Sequence, residues 1–193
     1  SELTLLERMN EHSLFVPKGK FMSATGFNAD MRDIHFILFE QLRIQDRLAD
    51  FEELADWDED MYKSVLDGAL EICQEVLWPC NAAGDAEGCT LDSDGNVTVP
   101  TSFEPAWKAL CEGGWVGMAA APEHGGVGLP MPMGAACGEI LTGANPSLAL
   151  YAGLTRGVAN LLQEFGTDWM KEQFLVMLFI VCVEFQNQKW SLV

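Results

Sequence analysis

An all-α fold with one small β-hairpin is predicted by three features of this 193-residue chain. Apolar residues recur every three or four positions through most of its length, helix-capping and helix-stopping residues punctuate those runs, and β-prone alternation is confined to residues 89–99. With 49% hydrophobic and 21% charged residues the composition is globular. A chain of this length buries about 70% of its unfolded surface, which excludes intrinsic disorder.

The elements follow in order. Residues 1–27 mix a short amphipathic stretch (Leu3, Leu6, Met9) with Pro17, Gly19 and Gly26, and read as a loosely attached arm. Met31, Ile34, Leu38 and Leu42, widened by Ile37, Ile44 and Leu48, predict a helix over 31–48 with Asp30 as its cap. Met61, Val65, Ala69, Ile72, Val76 and Cys80 form the apolar stripe of a second helix, expected to end or kink at Pro79, which cannot donate to the helical ladder. Two β-prone runs around Asp94-Gly95 predict the hairpin. Phe103, Trp107 and Leu110 mark a short helix stopped at Gly113-Gly114. After a glycine-laden connection come helices at 131–143, at 146–165 (Asn145 as cap, Pro146 first) and from 168 onward. The 146–165 helix is apolar nearly all round (Leu148, Leu150, Tyr151, Leu154, Val158, Leu161, Leu162), which predicts a central position.

Charge narrows the partners. Eleven Lys and Arg against 29 Asp and Glu give −18, which opposes any phosphate-tracking groove and excludes nucleic acid. The most apolar run, Phe174 to Val183, is about half the roughly twenty residues a membrane helix needs, so no membrane span is expected. Six cysteines without a C-x-x-C pair, and acidic residues (Glu2, Glu7, Glu11) where a signal peptide would be basic, predict a cytoplasmic setting with free thiols.

Several motifs carry less chemistry than they promise. His124-Gly125-Gly126 has the form of an esterase oxyanion loop, but no serine lies in a Gly-x-Ser-x-Gly context to use it. Gly125, Gly126 and Gly128 fail as a dinucleotide fingerprint, because no strand precedes them and Pro130 interrupts the helix start. Asp92, Asp94 and Gly95 have the wrong spacing for a calcium loop and read as turn chemistry. The histidines are isolated and the cysteines scattered, so no metal site is predicted. Gly153-x-x-x-Gly157 would let another backbone or a flat ligand approach the 146–165 helix, tight packing being the favoured reading.

Order and spacing go further. Met31-Arg-Asp-Ile-His-Phe-Ile-Leu-Phe-Glu40 comes first; Glu75-Val-Leu-Trp-Pro-Cys-Asn81 follows, with Gly84-Asp85-x-Glu87-Gly88-Cys89 and Glu112-Gly-Gly-Trp-Val-Gly117. Pro122-Glu-His-Gly-Gly-Val-Gly-Leu-Pro130, Ala144-Asn-Pro-Ser147 and Phe165-Gly-Thr167 with Lys171-x-x-Phe174-Leu175 complete the series. In this order the blocks resemble the N-terminal helical region of the acyl-CoA dehydrogenases, in the subgroup that includes the 3-methylmercaptopropionyl-CoA dehydrogenases. The resemblance implies an N-terminal helical domain over residues 28–175 and FAD-dependent oxidation of the Cα–Cβ bond of an acyl-CoA. A glutamate takes the α-proton while hydride passes from the β-carbon to FAD.

By the same resemblance the helix after Asn145 lines the acyl chain, making Leu150, Tyr151 and Leu154 candidates for the pocket wall and Thr155 a nearby polar group. Plain core packing would select the same residue types. Beyond Leu175 the family pattern is lost, leaving residues 176–193 as a tail unlike it. The flavin-binding β-domain, the C-terminal bundle and the catalytic glutamate are therefore expected outside this chain, as in a frameshifted or truncated enzyme. No glutamate here inherits the catalytic role, and no tightly held FAD is expected on this chain alone. Exposed faces predict a homo-oligomer or a partner supplying the missing domains. The alternative reading is a non-catalytic helical interaction module, or a subunit completed by a second chain.

Overall fold

The structure, a computed structural model, describes residues 26–55, 57–122 and 126–175. The predicted arm lies outside the described residues save Gly26 and Phe27, and the tail 176–193 lies outside them entirely. Among the described residues the elements are helical apart from one antiparallel pair, β1 (Thr90–Leu91) and β2 (Val97–Thr98), in the register Thr90↔Thr98 and Leu91↔Val97. The expected all-α fold with its small hairpin is what forms.

Helix α1 (Met31–His35) starts where predicted, with the Asp33 N–H donating to Asp30 Oδ1 at 3.2 Å. It does not run on to residue 48. The chain widens into a π turn (Phe36–Gln41), Arg43 adopts a left-handed conformation (φ 51°, ψ 53°), and α2 (Ile44–Leu48) begins afresh. A straight helix would scatter Leu38, Phe39 and Ile44 around its axis, whereas the break buries all three. Left-handed backbone at a non-glycine residue costs about 1–2 kcal/mol, which this burial offsets. Gln45 Nε2 donates to the Phe39 carbonyl across the break at 3.2 Å.

Helix α3 (Glu59–Ile72), capped by Asp58 Oδ1 on the Met61 N–H at 2.8 Å, buries a face turned about one residue from the predicted stripe. Tyr62, Leu66 and Ala69 are enclosed, followed by Cys73, Leu77 and Cys80, while Met61 is exposed. Val65, Ile72 and Val76 flank that face half-buried, so the apolar row is two residues wide and its larger members face inward. Pro79 neither ends nor breaks this run. A π turn (Cys73–Leu77) precedes it, and Pro79 falls in the first turn of α4 (Trp78–Glu87), where a missing N–H and the ring are tolerated.

Helix α5 (Phe103–Glu112) stops at Gly113-Gly114 as expected, with Gly114 at φ 75°. Helices α6 (Met131–Ala144) and α7 (Pro146–Phe165) form a hairpin whose corner is Asn145. The centre of the molecule is α6: Met133, Cys137, Ile140 and Ala144 are enclosed against α3, the π turn after it, and α7. The prediction that α7 is shielded on most sides is overturned. Leu148 and Ala159 are its buried residues, while Leu154 is 74% and Phe165 78% exposed. One apolar face packs on α6, and no described residue covers the opposite face. Thr167 then caps α8 (Asp168–Met170), whose π-turn extension (Lys171–Leu175) returns against α7 and buries Leu175.

The ion pairs among the described residues, Arg32–Glu40, Arg43–Asp46, Lys63–Glu59 and Lys108–Glu112, are all solvent-facing. Such pairs contribute about 0–1 kcal/mol each, so the apolar core holds the fold. Burial also governs the thiols. It pushes the Cys73 thiol up to about 12 and Cys137 up to about 11, and raises Cys80, whereas Cys89 is exposed. The thiolate is the reactive form, so a maleimide is expected to label Cys89 in the native protein and to reach Cys73, Cys80 and Cys137 only in denaturant. Peptide mapping that finds Cys73 or Cys137 labelled as early as Cys89 would contradict this packing.

Candidate functional site

Helix α7 carries the predicted site residues, and its geometry sorts them. Residues advance about 100° each around a helix, so Leu150, Leu154, Val158, Leu161 and Phe165 share one face. Leu148, Ala152 and Ala159 point the other way, into α6. Leu150 and Leu154 thus lie on the outer face, Leu150 being 64% exposed. Tyr151 is also exposed, with its ring set edge-on to Trp107 at 5.0 Å between centroids. Thr155 is half-buried at the border between the two faces.

A cavity lies on the inner side of the same helix. Ala149, Ala152 and Arg156 form its α7 wall, Gly138, Leu141 and Thr142 its α6 wall, and Leu77, Leu110, Trp115 and Val116 close it. Its volume is about 20 Å³, room for a single water-sized body. It can hold the tip of a chain but not a flat ring system. The structure does not bring the outer-face residues Leu150, Tyr151 and Leu154 together with this cavity. Arg156, which does line it, is missing from the sequence-based candidates, although a lone cation on an otherwise apolar stretch between Gly153 and Gly157 was the available signal.

The glycine-rich connection is a backbone clasp. The N–H groups of Gly126, Val127, Gly128 and Leu129 donate to the carbonyls of Ala121, Gly117, Ala120 and Met118 at 3.2, 3.3, 2.8 and 2.8 Å. These donors are spent inside the protein, so an oxyanion or phosphate cradle is not available from them. His124 and Gly125 lie outside the described residues. In the hairpin loop, Asp92 Oδ1 accepts from the N–H groups of Asp94 and Asn96, and Oδ2 from Asn96 Nδ2, all at 2.8 Å. Those bonds hold the Asp92 carboxyl below its usual range. The acidic cluster shapes the turn, and no grouping of three or more metal-binding side chains occurs among the described residues.

FAD makes a specific demand that these residues do not meet. Its pyrophosphate needs converging N–H donors or clustered cations. Here the glycine amides are used, Arg32, Arg43, Lys63 and Lys108 face carboxylates, and the first turn of α7 is closed by the Asn145 side chain. The described residues therefore do not fit FAD as a self-sufficient site.

Among the described residues the architecture is that of a helical domain with a single hairpin insert. The acyl-CoA dehydrogenase, N-terminal domain, family matches residues 59–179, and the chain belongs to that family. It is 31% identical over 149 residues to a 3-methylmercaptopropionyl-CoA dehydrogenase of Ruegeria pomeroyi, covering 77% of this chain and 25% of that protein. It is 28% identical over 166 residues to a butyryl-CoA dehydrogenase of Syntrophomonas wolfei, covering 82% and 26%. A broad-specificity linear acyl-CoA dehydrogenase of Mycobacterium tuberculosis is 29% identical over 147 residues, covering 76% and 24%. The chain spans about a quarter of the length of these curated relatives. The resemblance read from the ordered sequence blocks is borne out. No helix among the described residues is long and apolar enough to cross a membrane.

Proposed function

We propose that this chain is the N-terminal helical part of a cytoplasmic, FAD-dependent acyl-CoA dehydrogenase acting on short acyl-CoA thioesters. In this reading the chain is inactive by itself, and its oligomeric or domain partners supply what it lacks. The observation that carries the reading is the uncovered apolar face of α7 in a chain of this family. Leu150, Tyr151 and Leu154 would form the acyl-facing wall, with Thr155 as the polar group at its edge. FAD would supply the hydride acceptor, held chiefly by parts of the enzyme beyond these residues. Short substrates are favoured by the names of two of the relatives.

Two measurements test this. The purified chain is expected to be colourless after incubation with FAD and to leave a redox dye unreduced with butanoyl-CoA. A yellow preparation that turns over would place cofactor and base on this chain and overturn the assignment. Separately, the methyl resonances of Leu150 and Leu154 are expected to shift with the butanoyl thioester of N-acetylcysteamine, an uncharged stand-in for the acyl end of the substrate. Unmoved methyls would remove α7 from the pocket wall.

A further inference from the structure

The described chain ends on the surface of α7. A two-residue link, Gly166-Thr167, reverses it after Phe165, and the turn Lys171–Leu175 then lies against α7 with Leu175 fully buried. Eight helical residues from Asp168 to Leu175 span about 12 Å, which brings Leu175 back to the level of Val158. The residues that follow, Val176-Met-Leu-Phe-Ile-Val-Cys-Val183, carry no charge. They start beside an apolar surface and hold no charged side chain that would draw them off it.

The surface ahead of them fits in length and in chemistry. Val158, Leu154 and Leu150 form a slanting row on the outer face of α7, all three exposed, and eight residues of helix span the same distance of about 12 Å from one end of that row to the other. Arg156, the one charged residue between Pro146 and Gln163, lines the cavity on the opposite side of the helix. In a helical register Leu175, Leu178, Phe179 and Cys182 share one face and Glu184 falls opposite, so the first charge of the tail would meet water. The other segment outside the described residues suits the row less well. Residues 1–25 lead to Phe27, which packs on Trp78 and beside Gly143, and they scatter Glu2, Glu7, Arg8 and Glu11 among their apolar side chains.

We infer that residues 176–183 continue the helical turn at 171–175 and dock on the row Val158, Leu154 and Leu150, so that this chain covers its own α7. Burial of the row and of the tail's apolar face drives the docking, since an exposed apolar strip of this extent otherwise favours association. The docking itself goes beyond the acyl-wall reading, and its consequence for ligands rests on that reading. An acyl group and the tail then compete for Leu150 and Leu154. A thioester binds only the fraction of molecules in which the tail is undocked, and its apparent affinity falls by that fraction.

The test uses the whole chain with a nitroxide on Glu184→Cys, in a background of Cys89→Ala, Cys111→Ala and Cys182→Ala; Cys73, Cys80 and Cys137 are buried and stay unlabelled. The methyl resonances of Leu150 and Leu154 are expected to lose most of their intensity and to recover it when the nitroxide is reduced. Leu178→Asp with Phe179→Asp is expected to abolish that loss while the core methyls of Met133 and Ile140 keep their shifts, which separates undocking from unfolding. The same pair of substitutions is expected to tighten binding of the butanoyl thioester of N-acetylcysteamine by about fivefold or more. Leu150 and Leu154 methyls at full intensity beside the oxidised label overturn the proposal, and broadening by a nitroxide on Met9→Cys instead gives the row to residues 1–25. Broadening of an isotope-enriched, unlabelled chain by a separate labelled chain overturns it in favour of a second copy. Equal thioester affinity with and without the two aspartates overturns the competition. Methyls that ignore the thioester in the doubly substituted chain, with broadening intact in its parent, overturn the acyl-wall reading and leave the docking standing.

Discussion

Asn145→Ala is expected to lower the unfolding free energy by about 3 kcal/mol, read as a shift of the urea midpoint at unchanged slope. Asn145 is fully buried, and each end of its amide is engaged. Oδ1 accepts from the Leu148 N–H at 3.2 Å and so caps α7. Nδ2 donates to the Leu77 carbonyl at 3.3 Å and to Cys80 Sγ at 3.1 Å, joining the α6–α7 corner to the π turn and first turn of α4 some 65 residues earlier in the chain. Losing the cap costs about 1 kcal/mol, and stranding buried partners costs about 1–3 kcal/mol more. A loss below about 1 kcal/mol would show that the amide caps the helix but does not tie the two regions together.

Asn145→Asp separates those roles by pH. A carboxylate keeps the cap acceptor but loses the donor, and it sets negative charge against the Leu77 carbonyl in a dry site. Burial would raise its folded-state pKa above the unfolded value of about 3.9. A group raised in this way is tolerated below the unfolded pKa and loses stability as pH rises through the window up to the folded pKa. Relative to Asn145→Ala, the Asp variant is therefore expected to weaken between about pH 4 and 7. A flat difference across that range would show that water reaches the corner.

These residues also show what was legible in the chain. Asn145 as a cap, Pro146 behind it, the Gly113-Gly114 stop and the hairpin at 89–99 are local signals, and the structure keeps each of them. What failed was non-local. The 31–48 helix broke because the core takes Leu38, Phe39 and Ile44 together, and Pro79 was absorbed because a π turn precedes it. The pattern also marked α7 as apolar nearly all round and so predicted for it the central position that α6 takes. For the candidate site, the sequence singled out residues of the 146–165 helix by resemblance, while the placing of Arg156 beside Gly138 and Thr142 depends on how α6 meets α7.

The second large effect is expected at Gly126, where alanine should cost about 2–3 kcal/mol, while Gly157→Ala should be neutral or stabilising by up to about 1 kcal/mol. A Cβ on Gly126 would run into the backbone carbonyl of Ala120, the same oxygen that accepts from the Gly128 N–H at 2.8 Å. Backbone cannot rotate away as a side chain tip can, so relief requires the clasp to open. That clasp holds Met118, Ala120 and Leu129 in the interior, so opening it exposes apolar area as well as breaking hydrogen bonds. Gly157, in the middle of α7, has nothing within 4 Å of the added methyl, and alanine there gains helix propensity. Both changes add one methyl group to a glycine, so paired denaturation curves separate collision from propensity. A Gly126→Ala protein as stable as the wild type would mean that the turn at 126–129 can form without close approach to Ala120. A Gly157→Ala protein that loses stability would mean that some part of the chain outside the described residues packs against α7 at that point.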